Sequence, residues 1–275
     1  MAEFHEVPPA LIERAQEFAA SGQEPAPARS AATVVLLRER AGRPFEVYVI
    51  RRVAAMAFGG NYAFPGGGVD PSDAKVRLDW VGPTAAEWAP RLGVPEDRAQ
   101  AIVCAAGREV FEEVGVLLAG PTPDTVVGDV SGAQWEAARV ALERRELGFA
   151  DLLSGRGLAL RADLLASWGR WITPEFEPRR FDTHFFVAAL PEGQRTRDVS
   201  TETDHVEWLA PAEVLSREAA GEIRLLPPTR VTLAGIAACA DIPAVFAAAA
   251  RRDSGTPVKP RIEALPDGRL RLVTD

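Results

Sequence analysis

Two hydrophobic periods divide the chain. Segments 31–38 (Ala-Ala-Thr-Val-Val-Leu-Leu-Arg) and 45–52 (Phe-Glu-Val-Tyr-Val-Ile-Arg-Arg) are short apolar runs rich in β-branched residues, joined through Gly42 and Pro44. They predict neighbouring strands of a central sheet buried on both faces. Segments 168–174 and 180–190 predict two more strands. Along the second, Phe181, Thr183, Phe185 and Val187 share one face and Asp182, His184, Phe186 and Ala188 the other. Helical spacing marks 9–20, 81–94, a helix opened by Pro95-Glu96-Asp97, 131–147, one or two short helices in 149–165, and Ala-rich helices at 227–238 and 241–251. Segments 261–265 and 269–273 flank Pro266-Asp267-Gly268, which predicts a terminal hairpin. The implied class is α/β: a mixed sheet sandwiched between helices, with helical insertions and a C-terminal extension.

The helix opened at Pro95 carries the chemistry. Within Arg108-Glu109-Val110-Phe111-Glu112-Glu113-Val114-Gly115-Val116, three carboxylates stand at i, i+3 and i+4, on a face roughly 100° wide. Like charges this close repel, so the arrangement gains stability when a cation sits among them. An all-oxygen donor set favours a hard divalent ion, Mg²⁺ or Mn²⁺. Val103, Val110 and Val114 bury the adjoining face, and Gly115 suits a left-handed helix end. The bland alternative is a solvated surface helix. Upstream, 58–68 holds five glycines in eleven residues, a loop whose backbone can approach a diphosphate closely.

The stretch resembles the Nudix hydrolases, whose box reads G-x5-E-x7-R-E-U-x-E-E-x-G-U with U aliphatic. Residues 108–116 match its second half at every position, whereas Gln100 and Val94 stand where an unbroken box would have Glu and Gly. Gly67, followed six residues later by Asp73, fits the opening with Asp in place of Glu. The box is therefore read as split by about 27 residues, 74–100. The split, the Phe64-Pro65-Gly66-Gly67 lead and the length resemble the branch of the peroxisomal acyl-coenzyme A diphosphatase. The resemblance implies a nucleoside diphosphate derivative as substrate, with Glu109, Glu112, Glu113 and a glycine carbonyl, Gly66 or Gly67, holding metal. It implies that Arg108 pairs with a box carboxylate. It also implies a further carboxylate in the late loop, as ligand or base, with Glu202 the first choice and Asp204 and Glu207 the alternatives.

Other candidates carry less. Arg51 and Arg52 end a strand ahead of the glycine loop, and a planar fork suits phosphate; Arg179 and Arg180 are weighed against a surface role. Phe58 or Tyr62 offers stacking on a base, Gly67 close backbone approach, and the 81–94 helix is read as lying over the site. His184 reads as a sheet histidine with its bonds satisfied. Cys104 and Cys239 are the sole cysteines and fit no metal-ligand spacing, so Cys104 reads as a buried small residue.

The composition is 47% apolar and 25% charged over 275 residues, that of an ordinary globular chain. A formal net charge of -8 argues against adhesion to nucleic acid or an anionic membrane. No run approaches 18 apolar residues and 1–20 lacks a basic start with an apolar core, so a cytoplasmic protein is expected. The expected organisation is an arm and Pro/Ala linker (1–29), the main domain (30–226, with a helical excursion at 131–165) and an extension (227–275). A homodimer stays open. Against hydrolysis stands a non-catalytic nucleotide-binding or regulatory module on the same fold, favoured by Gln100 and the split box. A scaffold role rests only on the arm and extensions. Coenzyme A and its esters, ADP-ribose, NADH and dinucleoside polyphosphates all remain candidate substrates; Met56 stands where the coenzyme A signature of other members would put Arg.

Overall fold

A computed structural model describes residues 9–53, 59–75, 78–264 and 270–274. From the N-terminus run helix α1 (Pro9–Ser21), strands β1 (Arg29–Arg40), β2 (Arg43–Arg52), β3 (Tyr62–Ala63) and β4 (Gly66–Gly68), and helix α2 (Pro71–Lys75). Strand β5 (Trp80–Val81) and helix α3 (Ala85–Leu92) precede the long helix α4 (Glu96–Val114) and strand β6 (Ala119–Gly120). Helices α5 (Ala133–Glu143) and α6 (Phe149–Gly155) lead to strands β7 (Ala159–Arg161), β8 (Ala166–Ile172), β9 (Phe181–Ala189) and β10 (Thr203–Leu209). Helices α7 (Pro211–Ala219), α8 (Pro227–Ala237) and α9 (Ile242–Arg251) are followed by β11 (Pro257–Val258) and a hairpin of β12 (Arg261–Ala264) with β13 (Leu270–Val273).

The main sheet runs β10-β2-β1-β9-β8-β11, with β3 on β2 and β4 on β1. Strands β1 and β9, about 150 residues apart in sequence, pair in parallel over Arg29↔Phe181 to Leu37↔Ala189. Strand alternation then builds two cores. Ala32, Val34, Leu36, Tyr48, Ile50, Phe186 and Ala188 face α3, α4, α5 and α6. Val35, Leu37, Val47, Val49, Phe185 and Val187 face Val214 of α7, Leu233 and Ile236 of α8, and Val245 and Ala249 of α9. The C-terminal helices are thus the second layer of the sandwich, because their apolar residues cover a sheet face that would otherwise meet water. Among the described residues no single helix is long and apolar enough to cross a membrane.

Two expectations change here. The 81–94 helix does not lie over the site: α3 buries Trp88 and Leu92 completely, and Trp88 stacks edge-on against Phe186 of the first core. His184 is wholly buried, and neither ring nitrogen has a hydrogen-bond partner among the described residues; Asp182 is 3.9 Å away. Burial pulls its imidazole down to about 4, outweighing the pull of Asp182. The folded protein therefore keeps His184 neutral where the unfolded chain would protonate it. No penalty exists above about pH 6.5; it accumulates from there down to about pH 4, reaching roughly 3 kcal/mol, and is constant below. His184→Leu should flatten that limb of the stability curve in urea titrations from pH 7 to 4, and an unchanged slope would contradict the assignment.

Candidate active site

Helix α4 ends at Gly115, whose φ of 68° lets its amide close on Phe111 and Val110. This fixes the last turn, where Glu109, Glu112 and Glu113 point into a cleft of about 830 Å³. Arg108 organises the floor. Its Nε and Nη2 donate to the two oxygens of Asp73, each at 3.0 Å. Nη1 donates to Glu109 at 2.8 Å and to both oxygens of Glu112 at 3.2 Å, and Nη2 also reaches the Gly68 carbonyl at 2.9 Å. Asp73 and Arg108 are both buried. Burial pulls the guanidinium pKa down, but the Asp73 bonds and the Glu109, Asp73 and Glu112 charges raise it further, so Arg108 stays charged. Asp73 is thus brought onto the acidic helix across the insertion, at the place the split box gives it. Cys104 lies beside it, Sγ 3.5 Å from Asp73, and burial pushes its thiol pKa well up. A thiol so held is a poor nucleophile.

Glycine is required where the loop meets the helix. Gly66 has φ 156°, and a Cβ there would stand 2.3 Å from the Ala32 carbonyl oxygen. One on Gly67 would stand 2.6 Å from both Glu109 carboxylate oxygens. The Gly66 N–H donates to Glu113 at 2.8 Å. The contact seen for this glycine is therefore through its amide to a carboxylate.

The carboxylates are held under electrostatic load. Burial pushes Glu109 up to about 7 against the pull of Arg108, with Glu112 adding to the rise. Burial also raises Glu112, and it raises Glu113 well above the carboxylate range, with Glu109 and Glu202 adding repulsion. A cation among them would reverse all three shifts. The donor set, three glutamates on a cleft floor, suits a hard divalent ion. As they stand, no three acidic, His or Cys side chains among the described residues are gathered tightly enough to enclose one, since Glu109 and Glu112 face Arg108 and Glu113 faces Gly66.

Glu202 and Arg52 line the same cleft, 3.9 Å apart. The other late carboxylates stand elsewhere: Asp204 pairs with Arg51 at 2.6 Å, and Glu207 with His205 and Arg217. Strand alternation separates the two arginines, so Arg51 is turned to Asp204 and Arg52 to the cleft. Tyr62 is buried in the second core, which gives it a packing role. Phe58 and Met56 fall outside the described residues. Arg180 ties down the linker through the Thr173 and Ala26 carbonyls.

Beyond the carboxylates the cleft has an apolar wall that includes Trp171, Ile172, Pro174, Phe181, Phe185 and Leu226. Leu11 of α1 reaches it, and Arg14 of that helix pairs at 2.7 Å with Glu177 on the cleft wall. The end of α5 adds Arg145 and Glu146. The sequence gives none of these a site role: Phe181 and Phe185 read there only as one face of a strand, and the others as ordinary surface or core residues.

The family description "NUDT19 Nudix domain" matches residues 88–235. A putative nudix hydrolase 7 of Caenorhabditis elegans is 29% identical over 201 residues, 73% of this chain and 57% of that protein. The human acyl-coenzyme A diphosphatase NUDT19 is 29% identical over 225 residues, 67% and 58% of the two lengths. The chain thus spans less than three fifths of the length of these relatives. The crystal structure of a NUDIX hydrolase from Alicyclobacillus acidocaldarius is 30% identical, with a TM-score of 0.68 over 81% of this chain and 96% of that one. By family match, relatives and fold together, the chain belongs to the Nudix hydrolases, in the branch resembling NUDT19.

Proposed function

We propose that the chain hydrolyses a diphosphate bond in a nucleoside diphosphate linked to another group, with coenzyme A or its acyl esters as the substrate class. The observation that carries this reading is the floor of the cleft: Arg108 gathers Asp73, Glu109 and Glu112 while Glu113 and Glu202 face the same space. The relatives named acyl-coenzyme A diphosphatase and the apolar wall running on from the carboxylates support the narrower substrate class.

Glu109, Glu112 and Glu113 would hold Mg²⁺ or Mn²⁺, with Gly66 beside them. When bound, such an ion neutralises diphosphate charge and lowers the pKa of a coordinated water. The remaining steps belong to the chain. Arg52 presents a guanidinium to phosphate oxygens. Arg108 keeps Glu109 and Glu112 oriented and balances their charge. Glu202, at 52% exposure and 3.9 Å from Arg52, would take a proton from the attacking water as it adds to phosphorus in line with the leaving oxygen.

The binding-module reading is favoured by one observation, that Arg108 already occupies two of the three glutamates. Product identification separates the two. Coenzyme A should yield two phosphate monoesters whose masses sum to substrate plus one water, whereas intact coenzyme A that still raises the melting temperature would favour the module. Glu202→Gln should lower kcat by about 10²-fold with little change in Tm, as the loss of a general base from an exposed position predicts. Undiminished kcat in that variant would move the base elsewhere.

A further inference from the structure

Helix α5 ends unlike the other helices. The Arg145 N–H returns to the Leu142 carbonyl and the Glu146 N–H to the Ala141 carbonyl, both at 2.8 Å, a closure that needs a left-handed residue. Arg145 supplies it with φ 59°, and among the described residues it is the sole non-glycine with positive φ. After α1, α3, α4, α6 and α7 the same conformation falls to Gly22, Gly93, Gly115, Gly157 and Gly221. An arginine there crowds its own backbone, a cost that glycine avoids.

Local contacts do not offset that cost. The Arg145 side chain is 84% exposed and reaches the less exposed Asp70 only at 3.5 Å, so their ion pair, open to water on the arginine side, contributes little. What the residue gains is position. It lines the cleft next to Asp70 and Ser72. Arg139, buried in α5, donates to the Glu112 carbonyl at 2.8 Å and so fixes α5 to the catalytic helix. The cleft-floor guanidinium of Arg108 is saturated by Asp73, Glu109, Glu112 and Gly68, which leaves it no donor for a ligand at the rim. Strained residues persist where the strain aims a functional group.

We propose that Arg145 is a specificity residue whose guanidinium holds a phosphate monoester carried by the substrate apart from its scissile diphosphate. This rests on the hydrolase reading above. A planar fork suits a terminal phosphate, which offers two oxygens to parallel N–H bonds.

The test compares coenzyme A with 3′-dephospho-coenzyme A, which differ by one phosphate monoester, on wild type, Arg145→Gly and Arg145→Lys. In Arg145→Gly the ratio of kcat/KM for the two compounds should fall about tenfold, carried by KM, while relief of the left-handed strain raises Tm by about 2–4 °C. Arg145→Lys, which keeps the charge without the fork, should lose part of the discrimination with little change in Tm. The calorimetric preference in chelator, Kd for 3′-dephospho-coenzyme A divided by Kd for coenzyme A, should fall as well. A discrimination ratio unchanged within about twofold in Arg145→Gly, or a lowered Tm, would overturn the proposal. Failure of the hydrolase reading would show separately, as no turnover by wild type, and the Kd ratio would still decide the role of Arg145.

Discussion

Replacing Glu112 or Glu113 by Gln lowers kcat by about 10³-fold or more, and leaves Tm unchanged or slightly higher. The size follows from the proposed role: each variant would remove a negative oxygen donor to a divalent ion that stabilises transition-state charge, where about 4 kcal/mol corresponds to a thousandfold in rate. The unchanged stability follows from the loads on these groups. Both carboxyls are pushed up by burial, and Glu113 additionally by Glu109, so neutralising either relieves repulsion in the folded protein. Gln also keeps an oxygen acceptor for the Gly66 N–H that Glu113 receives at 2.8 Å. Steady-state kinetics beside thermal melts checks both halves. Wild-type turnover in both variants would contradict the assignment, and collapse of the fold would make the helix structural first.

Arg108 is expected to behave in the opposite way. Arg108→Met should destabilise the protein by about 3–5 kcal/mol, a fall in Tm of roughly 10 °C, because it leaves Asp73, Glu109 and Glu112 without the cation that balances them. Both partners of the central pair are buried, so water cannot substitute. The companion Asp73→Leu/Arg108→Met double variant should recover part of the loss, since removing both charges spares the cost of an orphaned carboxylate. A loss below about 1 kcal/mol in the single variant would mean that solvent reaches the network. Chemical denaturation measures this directly. Together the two experiments separate residues that act on substrate from the residue that holds them in place.

The acidic turn was legible because helix geometry alone puts Glu109, Glu112 and Glu113 on one face, and Gly115 marks the end. Asp73 was legible only through the resemblance, by rejoining a box that the insertion had split; its bonds to Arg108 give the rejoining a physical basis. The central strands were legible as short continuous apolar runs, but the parallel pairing of β1 with β9 joins segments with no local signal between them. The 81–94 helix stands away from the site although it is near the acidic turn in sequence. Its exit feeds Glu96, thirteen residues and so roughly 20 Å of helix before Glu109. Trp88 and Leu92 then fill the first core at that far end. Strand alternation allows only one of Arg51 and Arg52 to face the cleft, and which one depends on Asp204, a neighbour supplied by β10. Arg145 was overlooked because an Arg-Arg-Glu run at a helix end reads as solvated charge. Its mark is a left-handed φ of 59° on a residue other than glycine, which the sequence does not show, since α8 and α9 also end without glycine.

The most direct test of the account is incubation of the purified protein with coenzyme A and its acyl esters, ADP-ribose, NADH and dinucleoside polyphosphates, with Mg²⁺ or Mn²⁺ and then with excess chelator, with products identified by mass. The account predicts cleavage of the coenzyme A compounds at the diphosphate, and its loss in chelator. Intact compounds under every metal condition, or cleavage that chelator leaves undiminished, would contradict it.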